Sequence, residues 1–194
     1  MARTASTMLD LGTSAPSFSL PDVVSGKQTH LSDFDSKKAL LVMFISRHCP
    51  YVKHIVTQLA ALGNDYQTKD IGIVAISAND IDNYPDDAPD MLKQMAQDNQ
   101  FSFPVCFDET QQVAKDYSAA CTPDFFLFNS DRKLVYRGQL DASRPGSDLP
   151  VTGTDLRAAI DAVLADQPVP QKQMPSIGCN IKWKAGNEPN YFNT

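Results

Sequence analysis

The chain has 194 residues, a formal net charge of −6, and contents of 42% hydrophobic and 21% charged residues. This composition is that of a globular protein rather than a disordered or fibrous one, and the length suffices for one domain with a core. The acidic balance gives no support for contact with a nucleic-acid backbone, so we expect no nucleic-acid partner.

No apolar run approaches the roughly 20 residues of a membrane-spanning helix, so we expect no membrane association. The N-terminus lacks the apolar core of a secretory signal, and we therefore predict a cytoplasmic protein. Four cysteines are too few for a disulfide scaffold in a chain of this length. In a reducing compartment they are catalytic thiols, ligands or buried apolar side chains.

The first third of the chain predicts a hairpin followed by a buried strand. Residues 1–11 are predicted to form a loose N-terminal arm. Short segments at residues 18–20 and 29–34, in which apolar and polar residues alternate, indicate a β-hairpin. Residues 39–45 are apolar throughout, which is typical of a central strand covered on both faces.

The hydrophobic period changes after Pro50, where apolar residues recur at helical spacing and predict a long helix. The rest of the domain likewise alternates between predicted strands and predicted helices. Further strands are predicted at residues 71–77, 103–107, 125–128 and 133–139, and further helices near residues 91–99, 113–117 and 156–164.

Two segments lack either periodicity. Residues 79–89 contain two prolines and several aspartates, which predicts an exposed loop with a solvated surface rather than a calcium site. Prolines beyond residue 166 predict an extended tail over residues 167–194. Strands that alternate with helices indicate an α/β domain over residues 12–166, with a mixed central sheet and helices on both faces.

Cys49 stands where the apolar strand meets the long helix, with Pro50 at the first helical position. A helix N-terminus presents unpaired N–H groups and the positive end of the macrodipole, which stabilise a thiolate. This position favours a reactive thiol over a buried apolar side chain. We therefore predict that Cys49 is the catalytic nucleophile.

Three motifs together resemble the thioredoxin superfamily, in its peroxiredoxin-like AhpC/TSA-type branch. Residues 12–21 (G-x-x-A-P-x-F-x-L-P) are similar to the opening of alkyl-hydroperoxide-reductase and thiol-specific-antioxidant proteins. The second motif is the Cys49 junction, and the third is Thr122-Pro123, which resembles the cis-proline loop that faces the active cysteine. The resemblance covers residues 9–166 and implies a thioredoxin-like fold.

The chain departs from the family patterns at the positions that complete the chemistry. Val52 stands where thioredoxins carry the second cysteine, so this chain resembles a group without it. Ser46 fits the hydroxyl position of peroxiredoxins, but Val42 stands where they carry a proline. The peroxiredoxin arginine expected near the cis-proline position is not visible either, so the peroxide-activating set is incomplete.

Two cysteines are candidates for the resolving thiol. The resemblance implies that Cys121 lies on the loop facing Cys49. Cys179 lies in the tail, which either carries the thiol onto an oxidised partner or is fastened to the surface through Ile181 and Trp183. The remaining cysteine, Cys106, lies inside a predicted strand and is interpreted as a core residue.

The residues that flank Cys49 are predicted to tune its thiolate: Ser46, Arg47 and His48. His54 projects from the next turn of the helix and is a further candidate. The cysteines and histidines do not have the paired spacing of a metal site, so no metal is predicted.

Four residues are predicted to bind substrate: Pro50, Tyr51, Thr122 and Pro123. For Thr122 and Pro123 this follows from the family resemblance, in which the cis-proline loop supplies backbone contacts to an extended peptide or thiol. No motif for a flavin, nicotinamide or nucleotide is visible, so no cofactor is predicted.

The leading hypothesis is a thiol–disulfide oxidoreductase with Cys49 as nucleophile and Cys121 or Cys179 as resolving thiol. The alternatives are an antioxidant thiol peroxidase that uses Cys49 and a thioredoxin-fold binding module without turnover. The expected partners are a protein disulfide, a small thiol or a peroxide as substrate, and a protein or small thiol as reductant.

Overall fold

The computed structural model describes residues 3–192, which form a five-stranded mixed sheet, two smaller sheets and four helices. The strands in chain order are β1 (Arg3–Ala5), β2 (Ser19–Pro21), β3 (Gln28–His30), β4 (Ala39–Phe44), β5 (Ile71–Ser77), β6 (Val105–Phe107), β7 (Cys121–Thr122), β8 (Asp124–Phe128), β9 (Leu134–Gly138) and β10 (Ile177–Asn180). The helices are α1 (Pro50–Tyr66), α2 (Pro89–Asp98), α3 (Gln112–Asp116) and α4 (Thr154–Leu164). None of the helices described has the length and hydropathy needed to cross a bilayer.

The main sheet has the strand order β6-β5-β4-β8-β9, with β4 at its centre. β4 runs parallel to β5 and antiparallel to β8, so the sheet is mixed as predicted. All six residues of β4 are buried, which confirms the interpretation of the apolar run as a central strand. The predicted hairpin and long helix are also confirmed, by β2 with β3 and by α1.

Alternate residues of β4 point to opposite faces of the sheet and join different cores. Leu41 and Met43 pack in one cluster with apolar residues of α1, α2 and α4. Leu40 and Val42 pack in the other cluster with α3, the β2–β3 hairpin and Trp183 of the C-terminal segment. Helices therefore cover both faces, and the α/β class predicted from the alternating elements is confirmed.

A second, three-stranded sheet joins the two ends of the chain and corrects the prediction of a loose N-terminal arm. In it β10 lies between β1 and β7 and is antiparallel to both. Arg3 is the register partner of Cys179 on one side, and Thr122 is its partner on the other. Strand pairing over such a separation in sequence leaves no local signal, because β1 has only three residues.

The C-terminal segment is fastened to the domain rather than free. Ile181 and Trp183 are both buried in the core cluster behind β4. Of the two alternatives for the tail, the structure therefore has the fastened one. The domain boundaries after residues 11 and 166 stay a prediction.

The loop at residues 79–89 is exposed over residues 82–86, as its composition predicts, but three of its polar residues are buried. Asn79, Asp80 and Asp87 are buried, and Asp87 ends a 3₁₀ turn at Pro85–Asp87. Composition favours exposure for an acidic loop, but here hydrogen-bond donors from other segments compensate the buried carboxylate. This loop covers the end of β4 where Cys49 lies.

We predict that Trp183→Ala lowers the free energy of unfolding by about 3 kcal/mol, because it removes a large buried side chain from the core. Trp183→Phe keeps most of the apolar volume and is the matched control, with a much smaller loss expected. Unfolding in urea should be followed by far-UV circular dichroism, since Trp183 is the chain's single tryptophan. Equal losses in the two variants would contradict a packing role for the indole.

Candidate functional site

Cys49 occupies the N-cap position of α1, five residues after the carboxyl end of β4 at Phe44. Its backbone is extended, with φ −67° and ψ 122°, and Pro50 is the first helical residue as predicted. The side chain is fully buried. The sulfur is therefore held at the helix N-terminus, where unpaired N–H groups favour a negative charge.

The loop opposite Cys49 is the predicted cis-proline loop, and the structure confirms it. The Thr122–Pro123 peptide bond is cis. The Cys49 thiol donates a hydrogen bond to the carbonyl oxygen of Thr122, with a sulfur–oxygen distance of 3.1 Å. Thr122 thus contacts the candidate nucleophile directly through its backbone.

Cys179 is the thiol that meets Cys49. β10 brings it beside Thr122, and its thiol lies close enough to Cys49 for the two to interact electrostatically. Burial, and then the neighbouring Cys49, raise the pKa of the Cys179 thiol to about 12, although the Lys182 ammonium acts in the opposite direction. Cys179 therefore retains its proton at neutral pH.

A glycine allows β10 to approach the cis-proline loop this closely. A Cβ atom on Gly178 would collide with the carbonyl oxygen of Thr122, the same oxygen that accepts the Cys49 thiol. Backbone approach at this distance requires the absence of a side chain. Gly178 is thus a structural requirement for placing Cys179 next to Cys49.

Cys121 lies behind the cis-proline loop and is directed elsewhere. Its thiol is 3.5 Å from the carbonyl oxygen of Pro123, and its register partner across the sheet is Asn180 rather than Cys179. Burial raises the pKa of this thiol well above its usual value. Cys121 is near the pair, but its thiol is directed at the carbonyl of Pro123.

Cys106 is a core residue, as predicted. It is fully buried in β6, where Ile76 of β5 is its register partner, and burial raises its pKa to about 12. Within residues 3–192 no group of three or more histidine, cysteine, aspartate or glutamate side chains is arranged to hold a metal ion.

Asp87 is the functional candidate that the sequence analysis missed. Its carboxylate is fully buried and lies directly behind the loop that carries Cys49. It accepts hydrogen bonds from the Ser46 hydroxyl at 2.9 Å and the Arg47 amide at 2.5 Å, and its Oδ2 lies 2.6 Å from His48 Nδ1. The amide of Asn79 donates a further bond at 2.6 Å.

These donors keep Asp87 ionised despite its position. Burial alone would raise the pKa of this carboxyl. The hydrogen bonds from His48, Asn79 and Ser46, together with the charge of His48, outweigh burial and hold the pKa below its ordinary value. No feature of the sequence distinguishes Asp87 from the other aspartates of its loop.

The three residues predicted to tune the thiolate all contact the 79–89 loop. Ser46 and His48 contact Asp87, while the Arg47 guanidinium lies 3.6 Å from the Asp86 carboxylate. Their effect on Cys49 stays a prediction. In the structure these three residues connect the segment before Cys49 to the loop at residues 79–89. Among the residues described, no hydrogen bond joins them to the Cys49 sulfur.

The His48 ring forms part of a stack at the edge of the site. The Tyr84 ring lies parallel to it, with centroids 5.4 Å apart and an interplanar angle of 13°. The ammonium of Lys182 lies 5.7 Å from the centroid of the same Tyr84 ring, a cation–π contact. Tyr84 is 38% exposed, so this stack reaches the surface of the protein.

A narrow cleft beside the cis-proline loop runs between the start of α1 and residues 139–145. Tyr51 and Pro123 both line this cleft. His54 lines it too, with Nε2 at 3.2 Å from the hydroxyl of Ser143. The assignment of Tyr51 and Pro123 to substrate binding stays a prediction, and the cleft gives it a location.

A second buried carboxyl, Asp124, follows the cis proline. It is fully buried, and its Oδ1 has no hydrogen-bond partner among the residues described. Burial raises the pKa of Asp124 to about 8, although backbone N–H groups of Ala120, Phe125 and Cys121 act in the opposite direction. Unlike Asp87, Asp124 receives no charged or side-chain donor from residues 3–192 that would keep it ionised.

Comparison with known proteins places the site in a family of thiol proteins. A family model described as the AhpC/TSA family matches residues 11–137. The thiol-disulfide oxidoreductase ResA of Bacillus thuringiensis subsp. konkukian is 26% identical over 127 residues, which cover 66% of this chain and 68% of that protein.

Two solved structures illustrate the range of similarity. An uncharacterized conserved protein from Geobacillus kaustophilus is 52% identical with a TM-score of 0.93, over 95% of this chain and 97% of that chain. A putative thioredoxin from Neisseria meningitidis is 22% identical with a TM-score of 0.61, over 81% of this chain and 93% of that chain. The latter shows the thioredoxin-like fold that the sequence motifs predict.

We predict that Asp124→Asn changes how stability depends on pH. From about pH 5 to about pH 8 the folded protein holds a proton on Asp124 that the unfolded chain has lost, so its stability falls as pH rises. The asparagine variant lacks this loss, and its stability relative to the native protein should rise by up to about 4 kcal/mol over this range. Urea unfolding at several pH values tests this; parallel curves for the two proteins would contradict it.

Proposed function

Because the chain belongs to the AhpC/TSA family, we propose that it is a thiol–disulfide oxidoreductase in which Cys49 attacks the substrate and Cys179 resolves the intermediate. The observation that carries the proposal is that Cys49, at the N-terminus of α1, and Cys179, on the strand beside the cis-proline loop, both lie against Thr122 and interact electrostatically. A relative named thiol-disulfide oxidoreductase supports a thiol redox protein at a coarser level.

The exchange follows from the different surroundings of the two thiols. The Cys49 thiolate attacks one sulfur of a substrate disulfide, forms a mixed disulfide with it, and releases the other sulfur as a thiolate that takes a proton. Cys179 then loses its proton and attacks Cys49, which releases the second substrate thiol. The substrate gains two electrons and two protons, and Cys49 and Cys179 are left as a disulfide.

Cys179 is favoured over Cys121 as the resolving thiol because of where each sulfur is directed. Burial and the neighbouring Cys49 raise the pKa of Cys179, which lies on the strand that pairs with Thr122, whereas Cys121 donates to the carbonyl of Pro123. A disulfide requires Cβ atoms that approach to about 4 Å, and we infer that Cys179 needs the smaller movement. Cys121 remains behind the cis-proline loop as part of the wall of the site.

We propose that the substrate approaches Cys49 through the cleft that Tyr51 and Pro123 line. We propose that Thr122 and Pro123 supply the backbone contacts to the substrate chain and that Pro50 and Tyr51 form the opposing edge. Because Cys49 is fully buried, a substrate sulfur gains access only when this edge opens. The reductant that restores the dithiol is a protein thiol or a small thiol.

We predict that Cys179→Ser accumulates a mixed disulfide on Cys49, because the attack proceeds and the resolution does not. Cys121→Ser should still form the Cys49–Cys179 disulfide under mild oxidation, and Cys106→Ser is the control for substitution of a buried thiol. Mass spectrometry of alkylated peptides measures both products. A native disulfide between Cys121 and Cys179, with Cys49 singly alkylated, would refute the assignment.

A thiol peroxidase is the second candidate, favoured by the family to which the chain belongs. The residues that would activate a peroxide have other partners: Ser46 bonds Asp87, and Arg47 is paired with Asp86. Peroxide would therefore meet a thiolate without a dedicated set of donors, and disulfide exchange is the better supported reaction.

We predict that micromolar peroxide oxidises Cys49 far more slowly than a disulfide substrate does. A sulfenate-specific probe applied to Cys179→Ser, in which a sulfenic acid on Cys49 cannot be resolved by Cys179, measures this. Rapid labelling of Cys49, well above that of Cys106, would establish the peroxidase instead. A Cys49 inert to both peroxide and disulfide would leave the non-catalytic binding module.

A further inference from the structure

The cleft beside the cis-proline loop is bounded by the same three segments that hold the thiol site. Tyr51 belongs to the first turn of α1, whose N-cap is Cys49. Pro123 shares a cis peptide bond with Thr122, whose carbonyl oxygen accepts the Cys49 thiol at 3.1 Å. Ile177 is the first residue of β10, the strand that carries the resolving thiol. A ligand in this cleft therefore lies against all three segments that hold the two thiols.

Arg144 gives this cleft a permanent positive charge. Its Nη1 donates to the carbonyl oxygens of Asp141 and Ser143, at 2.7 and 2.6 Å, and its Nη2 donates to Oε1 of Gln139 at 2.5 Å. All three acceptors are uncharged. Among the residues described, no carboxylate forms an ion pair with this guanidinium.

The nearby carboxylates are occupied by other donors. Asp141 lines the cleft and accepts hydrogen bonds from the amide and the hydroxyl of Ser143, at 2.9 and 2.5 Å. It also accepts bonds from the amides of the two residues that precede α4, each at 2.7 Å. Asp155 accepts a bond from Nε2 of Gln139 at 2.6 Å. Both carboxylates are thus held by the protein's own amides and hydroxyls, and neither is paired with Arg144.

The guanidinium of Arg144 retains the capacity to bind an anion. A guanidinium has five N–H donors in a planar fork, which matches the two oxygens of a carboxylate. Arg144 is half-buried and makes three hydrogen bonds to protein acceptors, so donors are left for a ligand. Paired N–H···O bonds of this kind to a carboxylate are among the strongest and most specific in proteins.

The start of α1 favours an anionic ligand as well. The N-terminus of a helix is the positive end of its dipole, and acidic side chains are usually favoured in the first turn. α1 has no acidic residue in its first turn, and Lys53 follows directly. In a chain of net charge −6, the charges around this cleft are therefore of the sign that attracts an anion.

We propose that the cleft binds a carboxylate of the substrate disulfide and that Arg144 determines this specificity. This rests on the proposed function of Cys49. The substrate class is a disulfide with a carboxylate a few bonds from one sulfur. The Cys49 thiolate forms its bond to that sulfur, the sulfur–sulfur bond breaks, and the other half leaves as a thiolate that takes a proton from water. The carboxylate stays on Arg144 in the mixed disulfide, and the substrate spans the distance between Arg144 and Cys49.

The test uses the full-length chain carrying Cys179→Ser, in which the mixed disulfide on Cys49 accumulates and is measured by mass spectrometry against time. Three small disulfides serve as probes: dithiodipropionate is anionic, hydroxyethyl disulfide is neutral and cystamine is cationic. Arg144→Gln is expected to slow the reaction of dithiodipropionate about tenfold and to change that of hydroxyethyl disulfide by less than about twofold. The reaction of cystamine should not slow. The ratio of variant to parent for each probe cancels the different intrinsic reactivities of the probes.

Two further variants separate charge recognition from a role in holding the loop. Arg144→Lys keeps the charge and should retain most of the preference for dithiodipropionate. Lys69→Gln removes the same charge from an exposed position beyond the other end of α1 and should change none of the rates. Salt at about 0.5 M should weaken the preference of the parent, because it screens accessible charges. Equal slowing of all three probes in Arg144→Gln, or no slowing of any, would overturn the proposal.

A pair of peptide disulfides identifies the source of the carboxylate. The two are the disulfide-linked dimers of blocked Cys-Glu and Cys-Gln dipeptides, which differ in charge and little in shape. A preference for the Cys-Glu dimer that Arg144→Gln abolishes would extend the substrate class to acidic residues beside a protein cysteine. A preference confined to dithiodipropionate would restrict the class to small disulfides.

Failure of this proposal is distinguishable from failure of the proposed function. Cys49→Ser in the same background should form no mixed disulfide with any probe. If it forms one as fast as the parent, Cys49 is not the nucleophile and the proposed function fails whatever Arg144 does. If Cys49→Ser is inactive and Arg144→Gln reacts with all three probes as the parent does, the oxidoreductase stands and the role of Arg144 is refuted.

Discussion

The buried carboxylate of Asp87 is the interaction on which the rest of the site depends. Removing a carboxylate from water costs several kcal/mol unless donors replace the lost hydration. Here the donors come from the loop that carries Cys49 and from Asn79, so the two loops can pack together only around this carboxylate. The position of Cys49 at the start of α1 and the orientation of the His48 ring are consequences of the same set of bonds.

The second thiol reaches the site through backbone geometry. A helical Cys-x-x-Cys motif places both thiols on one turn, but Val52 occupies the second position in this chain. Cys179 instead arrives on β10, which is paired on both sides and lies close to Thr122 because Gly178 has no side chain. The N-terminal strand, the cis-proline loop and the C-terminal segment therefore form one unit around the pair of thiols.

Local patterns in the sequence predict the elements that position Cys49. The features that they do not predict depend on contacts between residues far apart in the sequence. The apolar run of β4 and the helical spacing after Pro50 each lie within one segment, so periodicity identifies them and the junction between them. The cis-proline loop was identified by family resemblance rather than by periodicity. The pairing of β1 with β10 and the burial of Asp87 depend on partners far away in the sequence. For Asp87, composition predicts the opposite of what the structure has, because acidic residues are usually exposed and this one is buried.

The different surroundings of the two thiols impose an order on the exchange. Cys49 lies at a helix N-terminus that favours its thiolate, whereas burial and the neighbouring sulfur keep Cys179 protonated, with a pKa of about 12. Cys179 therefore cannot act first, and it attacks only after a change near Cys49 lowers the cost of removing its proton. Formation of the mixed disulfide is such a change, because a Cys49 sulfur held in a disulfide carries no charge that would oppose ionisation of Cys179. The Lys182 ammonium then has no competing anion on Cys49 and favours the Cys179 thiolate, so resolution follows attack.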